Sequence, residues 1–191
     1  QDENQINLVK SLIDSPIYTA NLDIPRLLGQ ALNLNEFDTV LNLASGDGTT
    51  DVMLSQAYGC RIVGLTTNED QLSKARRTAF KSKLFQKVTF KLGNLSDLTY
   101  MEDSYETVIC ESALSPFPDK YKLVSEIQRI LRPEGRVGIV DVTRERNLPS
   151  NLSGIAPMVP SLNLAMSADG YKDIFNEHGF KNIEIHHLPT I

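Results

Sequence analysis

From residue 37 onward, short apolar runs alternate with stretches whose apolar positions recur every three to four residues. Val40-Leu41-Asn42-Leu43-Ala44 predicts a strand, followed by the turn Ser45-Gly46-Asp47-Gly48 and a helix over 49–57. Arg61-Ile62-Val63-Gly64-Leu65 predicts the next strand. Asn68 then reads as an N-cap, with Glu69 and Asp70 in the first turn and Gln71 three positions on, which resembles a capping box. Leu72, Ala75, Ala79 and Phe80 form the apolar stripe of that helix. Strands are expected at 88–92, 107–110 and 137–140, and a sixth at 183–186. A helix over 119–131 carries Leu123, Ile127, Ile130 and Leu131 on one face and is closed by Pro133 and Gly135. Another over 167–178 repeats the spacing with Tyr171, Ile174, Phe175 and His178, and Gly179 stops it.

Strand and helix in alternation with short connections imply an α/β fold: a mostly parallel sheet with helices on both faces, three layers in all. Right-handed crossovers gather the strand ends on one side, where ligands bind in such sheets. Two helices are expected before the first strand of this series, over 4–13 and 23–32. They would form a lid on the ligand edge or an extra layer, so the chain divides into a helical cover (1–36) and the sheet domain (37–191). The weakly patterned stretch 143–166, with Pro149, Pro157 and Pro160, is long enough to be functional.

Composition narrows the function classes. The 191 residues carry a net charge of -5, which argues against a nucleic-acid partner because phosphates call for a basic field. Lys74, Arg76, Arg77, Lys81 and Lys83 cluster on one helix and read as its solvated face. Cys60 and Cys110 each sit beside an apolar run and read as buried thiols, suited to the cytoplasm rather than to a disulfide framework. No apolar run is long enough to span a membrane. The adjacent pair His186 and His187 is a poor metal site, since neighbouring strand residues face opposite ways. No metal is expected.

The turn after the first of these strands carries the chemistry. Gly46 and Gly48 let the backbone bend sharply and let a ligand approach it, and the start of the following helix favours an anionic or carboxylate group. A dinucleotide site would want a third glycine where Asp51 stands. A larger acidic residue there would crowd the helix against the sheet and repel pyrophosphate, so a cofactor with an amino-acid tail and no phosphates suits the turn better than a nicotinamide dinucleotide.

The segment Leu41 to Thr49 resembles the first motif of class I S-adenosylmethionine (SAM)-dependent methyltransferases. The resemblance continues through Val63 to Leu72, then Gly93-Asn94-Leu95 with Tyr105 to Cys110, then Leu131 to Arg136. It covers residues 25–187 and is nearest to the "methyltransferase type 11" group, which includes relatives of arsenite methyltransferases. Ala113 to Lys120 and Tyr171 to Ile185 add to it. It implies a Rossmann-like class I methyltransferase fold. In that family a seventh, antiparallel strand closes the edge, so the sheet is expected to be trimmed there or open to a partner.

The resemblance also implies a SAM site. Asn42, Ala44, Ser45, Gly46 and Gly48 would serve the methionine end. Thr66 and Thr67 would face the ribose, Gln71 would close the adenosine end, and Asn94 and Leu95 would meet the adenine. Glu111 and Ser112 would sit near the transferred methyl, with Glu111 the candidate catalytic residue. Glu111 could equally orient the loop that follows it. Asp141 is a second candidate, more simply read as a loop-fixing acid, and Tyr18 could cover the cofactor or simply pack.

Three positions that are acidic in the family are neutral here: Asn42, Thr66 and Asn94. A neutral acceptor replacing a carboxylate costs on the order of 1 kcal/mol per bond. Weak SAM binding is therefore expected. Two functional readings stay open: methyl transfer to a small-molecule acceptor, or a non-catalytic SAM-fold binding protein. Arsenite is disfavoured as acceptor because the later loop lacks cysteine. The apolar residues Leu148, Leu152, Ile155, Met158, Val159, Leu162, Leu164 and Met166 suit an apolar or amphipathic acceptor, a lid core or a dimer surface. The expected assembly is a monomer or homodimer.

Overall fold

The structure is a computed structural model, and it describes residues 5–11, 23–144 and 159–188. In chain order the elements are β1 (Gln5–Ser11), α1 (Ile24–Ala31), β2 (Thr39–Leu43), α2 (Thr49–Tyr58), β3 (Arg61–Thr66) and α3 (Glu69–Lys81). They continue with β4 (Val88–Leu92), β5 (Tyr105–Glu111), α4 (Lys120–Ile130), β6 (Leu131–Val140), α5 (Pro160–Asn163), α6 (Ala168–Glu177) and β7 (Lys181–Leu188).

Five strands make one sheet in the order β4-β3-β2-β5-β6, every pair parallel. The order reverses between β2 and its two neighbours, which places a crevice at the carboxyl ends of β2 and β5. Side-chain alternation decides which layer each residue joins. Leu41, Leu43, Val108 and Cys110 pack with Leu123, Ile127, Tyr171 and Phe175 of α4 and α6. Val40 and Ile109 turn to the opposite face, against Leu28, Leu32, Val52, Leu54 and Ala75 of α1, α2 and α3. Each fully buried leucine in these layers contributes on the order of 2 kcal/mol.

Local sequence sets the helix starts. Asp23, Asn68, Asp119 and Ser167 each accept a backbone N–H two or three residues on, as side-chain caps do. Asn68 Oδ1 takes both Asp70 N–H and Gln71 N–H, as the capping pattern predicts. α2 differs: its cap is Gly48 in a left-handed conformation, with no side-chain bond.

The structure departs from the sequence reading at three places. The segment expected as a helix over 4–13 is strand β1, running parallel to β7 and lying alongside β6. Ile6 and Leu8 stand two apart, a spacing that also fits a strand, and pairing with β7 satisfies backbone groups that a short isolated helix would leave marginal. The second correction concerns the sheet edge. Among the described residues no antiparallel strand flanks β7, and β1 takes that neighbouring place instead. Third, β6 starts at Leu131, directly after α4, with a register shift that takes up Arg132 to Gly135. The expectation for residues 23–32 is met by α1, which is an added layer rather than a lid. Leu28 and Leu32 are fully buried and fill the space over Gly138, where a Cβ would meet both within 2.7 Å.

Candidate functional site

The turn after β2 is held by three backbone or hydroxyl bonds. Ser45 N–H donates to Leu65 O at 2.9 Å, Ser45 Oγ to Asn42 O at 3.0 Å, and Gly48 N–H to Ser45 O at 3.0 Å. Gly64 makes room for this, since a Cβ there would lie 2.5 Å from Ser45 Oγ. The two turn glycines do different work. A Cβ on Gly46 would meet nothing within 4 Å, so this face of the turn is open. A Cβ on Gly48 would lie 2.5 Å from the Phe90 ring, so Gly48 is a packing glycine that seats α2 on the sheet. Ala44 (φ 61°) and Ser112 (φ 54°) both adopt left-handed backbone, one at the end of β2 and one at the end of β5. Strained non-glycine residues at adjacent strand ends mark this crevice as the place where backbone geometry is held against local preference.

Beneath the turn lies a polar cluster drawn from three elements. Asn42 of β2 and Glu111 of β5 alternate onto the α2 face of the sheet, as Val40 and Ile109 do. Asp51 of α2 comes down to meet them. Asp51 is fully buried and Asn42 is 1% exposed. Neither Asp51 oxygen and neither Asn42 amide atom has an aligned hydrogen-bond partner. Burial pushes the Asp51 carboxyl up to about 7, the charge of Glu111 raises it further, and the nearby Asn42 and Ser45 dipoles offset part of this. Glu111 is half-buried, and burial raises its carboxyl too, against the pull of Thr50 and Asn42. Thr50 Oγ1 donates to Glu111 Oε2 at a long 3.4 Å.

The loop after β5 is fixed from the neighbouring strand. Asp141 Oδ2 accepts from Leu114 N–H and Ser115 N–H, both at 2.8 Å, and its Oδ1 from Val142 N–H at 2.7 Å. Lys120 Nζ donates to Ser115 O and Phe117 O at 2.9 Å each. Burial pulls that ammonium's pKa down, and Asp141 partly restores it. Asp141 is thus a loop-fixing acid.

On the β3–β4 side, a cavity of about 90 Å³ is lined by Leu65, Gly93, Asn94, Asp97, Leu98 and Tyr100, among others. Asn94 is exposed there, and its Oδ1 accepts from Ser96 N–H at 2.9 Å, while Leu95 is buried. Thr67 and Gln71 are exposed at the end of β3 and the start of α3. Thr66 differs from its expected role of facing a ribose: it is fully buried, with its hydroxyl turned to Asn68 O at 3.4 Å. The strand pleat puts alternate residues on opposite faces, and Thr67 is the one left outside.

The crevice therefore gathers Asn42, Ala44, Ser45, Gly46, Glu111 and Ser112, with Asn94, Leu95, Thr67 and Gln71 towards the β3–β4 side. Asp51, Thr50 and Asp141's loop-fixing bonds complete it. In the sequence Asp51 stands out only where a dinucleotide turn would carry its third glycine. The strand alternation that aims Asn42 and Glu111 at α2, three residues past Gly48, was the signal for its true place. Tyr18 lies outside the described residues, as do Leu148, Leu152, Ile155 and Met158. Cys60 and Cys110 are free and buried. Burial lifts the Cys60 thiol to about 11 and Cys110 well above its usual value, so neither is a reactive thiolate. His186 Nε2 lies 3.4 Å from Glu184 on the surface, and no metal-holding cluster occurs among the described residues. Nor is any described helix long and apolar enough to cross a membrane.

A parallel sheet with this order, an open glycine turn at the switch point and an acidic floor beneath it define the Rossmann-like class of class I SAM-dependent methyltransferases. The "Methyltransferase domain" family model matches residues 34–186, and the chain belongs to that family. It is 30% identical over 152 residues to an arsenite methyltransferase of Halobacterium salinarum, across 78% of this chain and 38% of that protein. Similar solved structures include geranyl diphosphate C-methyltransferase of Streptomyces coelicolor, whose complex holds Mg2+, geranyl diphosphate and S-adenosyl-L-homocysteine. It is 20% identical, with a TM-score of 0.69 across 81% of this chain and 59% of that one. The cyclase SpnF shares the fold at 18% identity, with a TM-score of 0.71 across 81% and 56%. The chain spans 38–59% of the length of three curated relatives.

The site's residues fit SAM. The open face of Gly46 leaves room for an amino-acid tail, the half-buried Glu111 carboxyl suits its cationic end, and the exposed Asn94 offers a polar edge to a base.

Proposed function

We propose that the chain transfers a methyl group from SAM to a small-molecule acceptor. One observation carries this reading: the open Gly46 turn stands over the Asn42–Asp51–Glu111 cluster at the crevice of a methyltransferase-family sheet. When bound, SAM supplies an electrophilic methyl on a sulfonium, so the protein's part is alignment and electrostatics more than strong base catalysis. Ser45, Gly46 and Ala44 hold the amino-acid end. Thr67 faces the ribose in place of buried Thr66, and Asn94 and Leu95 frame the base. Glu111 and Ser112, at the end of β5, face the acceptor, with Glu111 as the candidate catalytic residue. The SAM site lies in the sheet domain over 37–191, against which α1 packs.

Charge and relatives support a small-molecule acceptor. A chain of net charge -5 is poorly suited to nucleic acid, and the similar proteins named above include ones named for arsenite and geranyl diphosphate. Buried, unreactive Cys60 and Cys110 argue against thiolate-dependent arsenite chemistry in this chain and suit a reducing cytoplasm. The assembly proposed is a monomer or homodimer.

Calorimetric titration with SAM and S-adenosylhomocysteine, followed by a methyl-release assay over a metabolite panel, tests this. Binding with a dissociation constant above about 10 μM, near −7 kcal/mol, is expected from the neutral Asn42, Thr66 and Asn94. Turnover of one acceptor supports the enzyme. Binding without turnover on any acceptor favours the second reading, a non-catalytic SAM-fold binding protein, which those three neutral positions support.

A further inference from the structure

We propose that the outer face of α3, together with the turn after it and strand β4, docks the protein on a lipid bilayer bearing anionic headgroups. This surface is independent of the SAM reading, and its test needs no cofactor.

Residues 71–96 hold seven Lys and Arg and no Asp or Glu, in a chain whose 24 acids outnumber its 19 Lys and Arg. Glu69 and Asp70 bound this stretch at one end and Asp97 at the other. On α3, Lys74, Arg77 and Lys81 recur at helical spacing, away from the stripe of Ala75 and Ala79 that packs on the sheet. β4 is the last strand of the five-stranded sheet, so Lys87, just before it, and Lys91, within it, continue the basic surface along an open edge. Arg76 ties the two elements together, its Nη2 donating to Phe90 O at 3.5 Å. All seven residues are exposed, and among the described residues none of them forms a salt bridge. Their other partners are neutral. Arg77 Nε donates to Ser73 O, Lys87 Nζ donates to Gly59 O, and Lys91 Nζ lies 5.4 Å from the centre of the Tyr100 ring. A solvated helix face ordinarily interleaves both signs, which offsets self-repulsion. Here no carboxylate within the patch does so, and an external anionic surface is the complement it lacks.

The same surface is also apolar at one place. Phe80 is 70% exposed and Phe85 52%, with ring centroids 5.8 Å apart. Between them Lys83 takes left-handed backbone, and Leu84 packs inward with its N–H donating to Ala79 O at 2.9 Å. The turn thus hides its leucine and presents two phenyl rings, flanked in sequence by Lys81, Lys83 and Lys87. Rings beside lysines make an interfacial anchor. The rings enter the boundary between headgroups and acyl chains, and the ammonium groups stay at headgroup level.

The kind of cation favours lipid over other polyanions. Five of the seven are Lys. Lys is a hydrated point charge suited to the diffuse field of a leaflet, whereas the Arg fork recognises individual carboxylates and phosphates. Lys is also depleted from protein–protein interfaces. A duplex nucleic-acid backbone would satisfy the ammonium groups but leave the two rings in water.

The chain has no tryptophan, so Phe80→Trp and Phe85→Trp each place a single fluorescent reporter in the patch. Flotation of the 191-residue chain with vesicles tests the proposal. One set is phosphatidylcholine with phosphatidylglycerol, and the other is phosphatidylcholine alone. Binding is expected only to the anionic set, roughly tenfold weaker or more at high salt, with the tryptophan emission shifted to the blue. Lys81→Gln and Lys83→Gln should each weaken it about fivefold, the effect of one cation near an anionic leaflet. Lys122→Gln should leave it unchanged, because α4 packs on the other face of the sheet. Thermal melting of each variant checks that it folds. Absent flotation with the anionic vesicles, equal binding to phosphatidylcholine alone, or unshifted emission from bound protein overturns the proposal. Tighter binding to poly(U) RNA than to the anionic vesicles overturns it in favour of nucleic acid. Self-association without lipid that Lys81→Gln abolishes overturns it in favour of a second copy of the chain. Should Phe80→Trp fail to fold, Phe85→Trp and wild-type flotation carry the test.

Discussion

Asp51 and Asp141 are both buried aspartates at the carboxyl-end side of one sheet, and they live in opposite electrostatic conditions. Asp141 receives three backbone N–H groups at 2.7–2.8 Å, and its charge acts on the Lys120 ammonium at the start of α4. Asp51 receives no aligned donor and faces a second carboxyl. The difference lies in what surrounds each acid, since both are almost completely enclosed. Donors aimed at the charged form stabilise it, whereas burial alone disfavours it. One aspartate therefore behaves as a structural pin, and the other as a group ready to exchange a proton.

The comparison can be broken most severely at Asp141. Asp141→Ala leaves the buried Leu114 and Ser115 N–H groups without their acceptor, a loss of about 3 kcal/mol that urea denaturation should read. A loss below about 1 kcal/mol would show that the loop has other support. Asp51→Asn should act in the other direction and depend on pH. The folded state raises this carboxyl from 3.8 to about 7, so the native protein binds the extra proton and wild-type stability falls as pH rises through that window. The variant escapes this fall. Its stability relative to wild type should climb by roughly 2–3 kcal/mol between pH 5 and pH 8, measured as paired melting curves. A pH-independent difference would mean that Asp51 is ionised at low pH after all. The smallest effect is expected for Thr50→Val. It removes only a 3.4 Å bond to Glu111 and should shift stability by under about 0.5 kcal/mol while raising the Glu111 titration further.

Much of this molecule is legible from its chain. The strands at β2, β3 and β4, and the helices α2, α3, α4 and α6, follow from apolar spacing and capping residues such as Asn68 and Ser167. Gly46 and Gly48 announce the turn, though only coordinates distinguish the open one from the packed one. The segment 5–11 folds as a strand where the sequence suggests a helix. Its apolar positions fit two periods, and the choice was made by the distant β7, which supplies the pairing partner. Of Thr66 and Thr67, both expected towards a ribose, the first is buried and the second exposed, because at a strand end the pleat decides which neighbour faces out.

Local spacing along the chain determined the α/β alternation, the glycine turn and the family to which these belong, because helices, strands and tight turns are selected by residues close together in sequence. The tertiary structure alone decided that Asn42, Asp51 and Glu111 meet, that Asp141 is saturated with donors, and that β1 lies beside β7. Those facts depend on groups brought together from separate elements. A carboxyl's charge is set by the field of its spatial neighbours, and no local pattern carries that information.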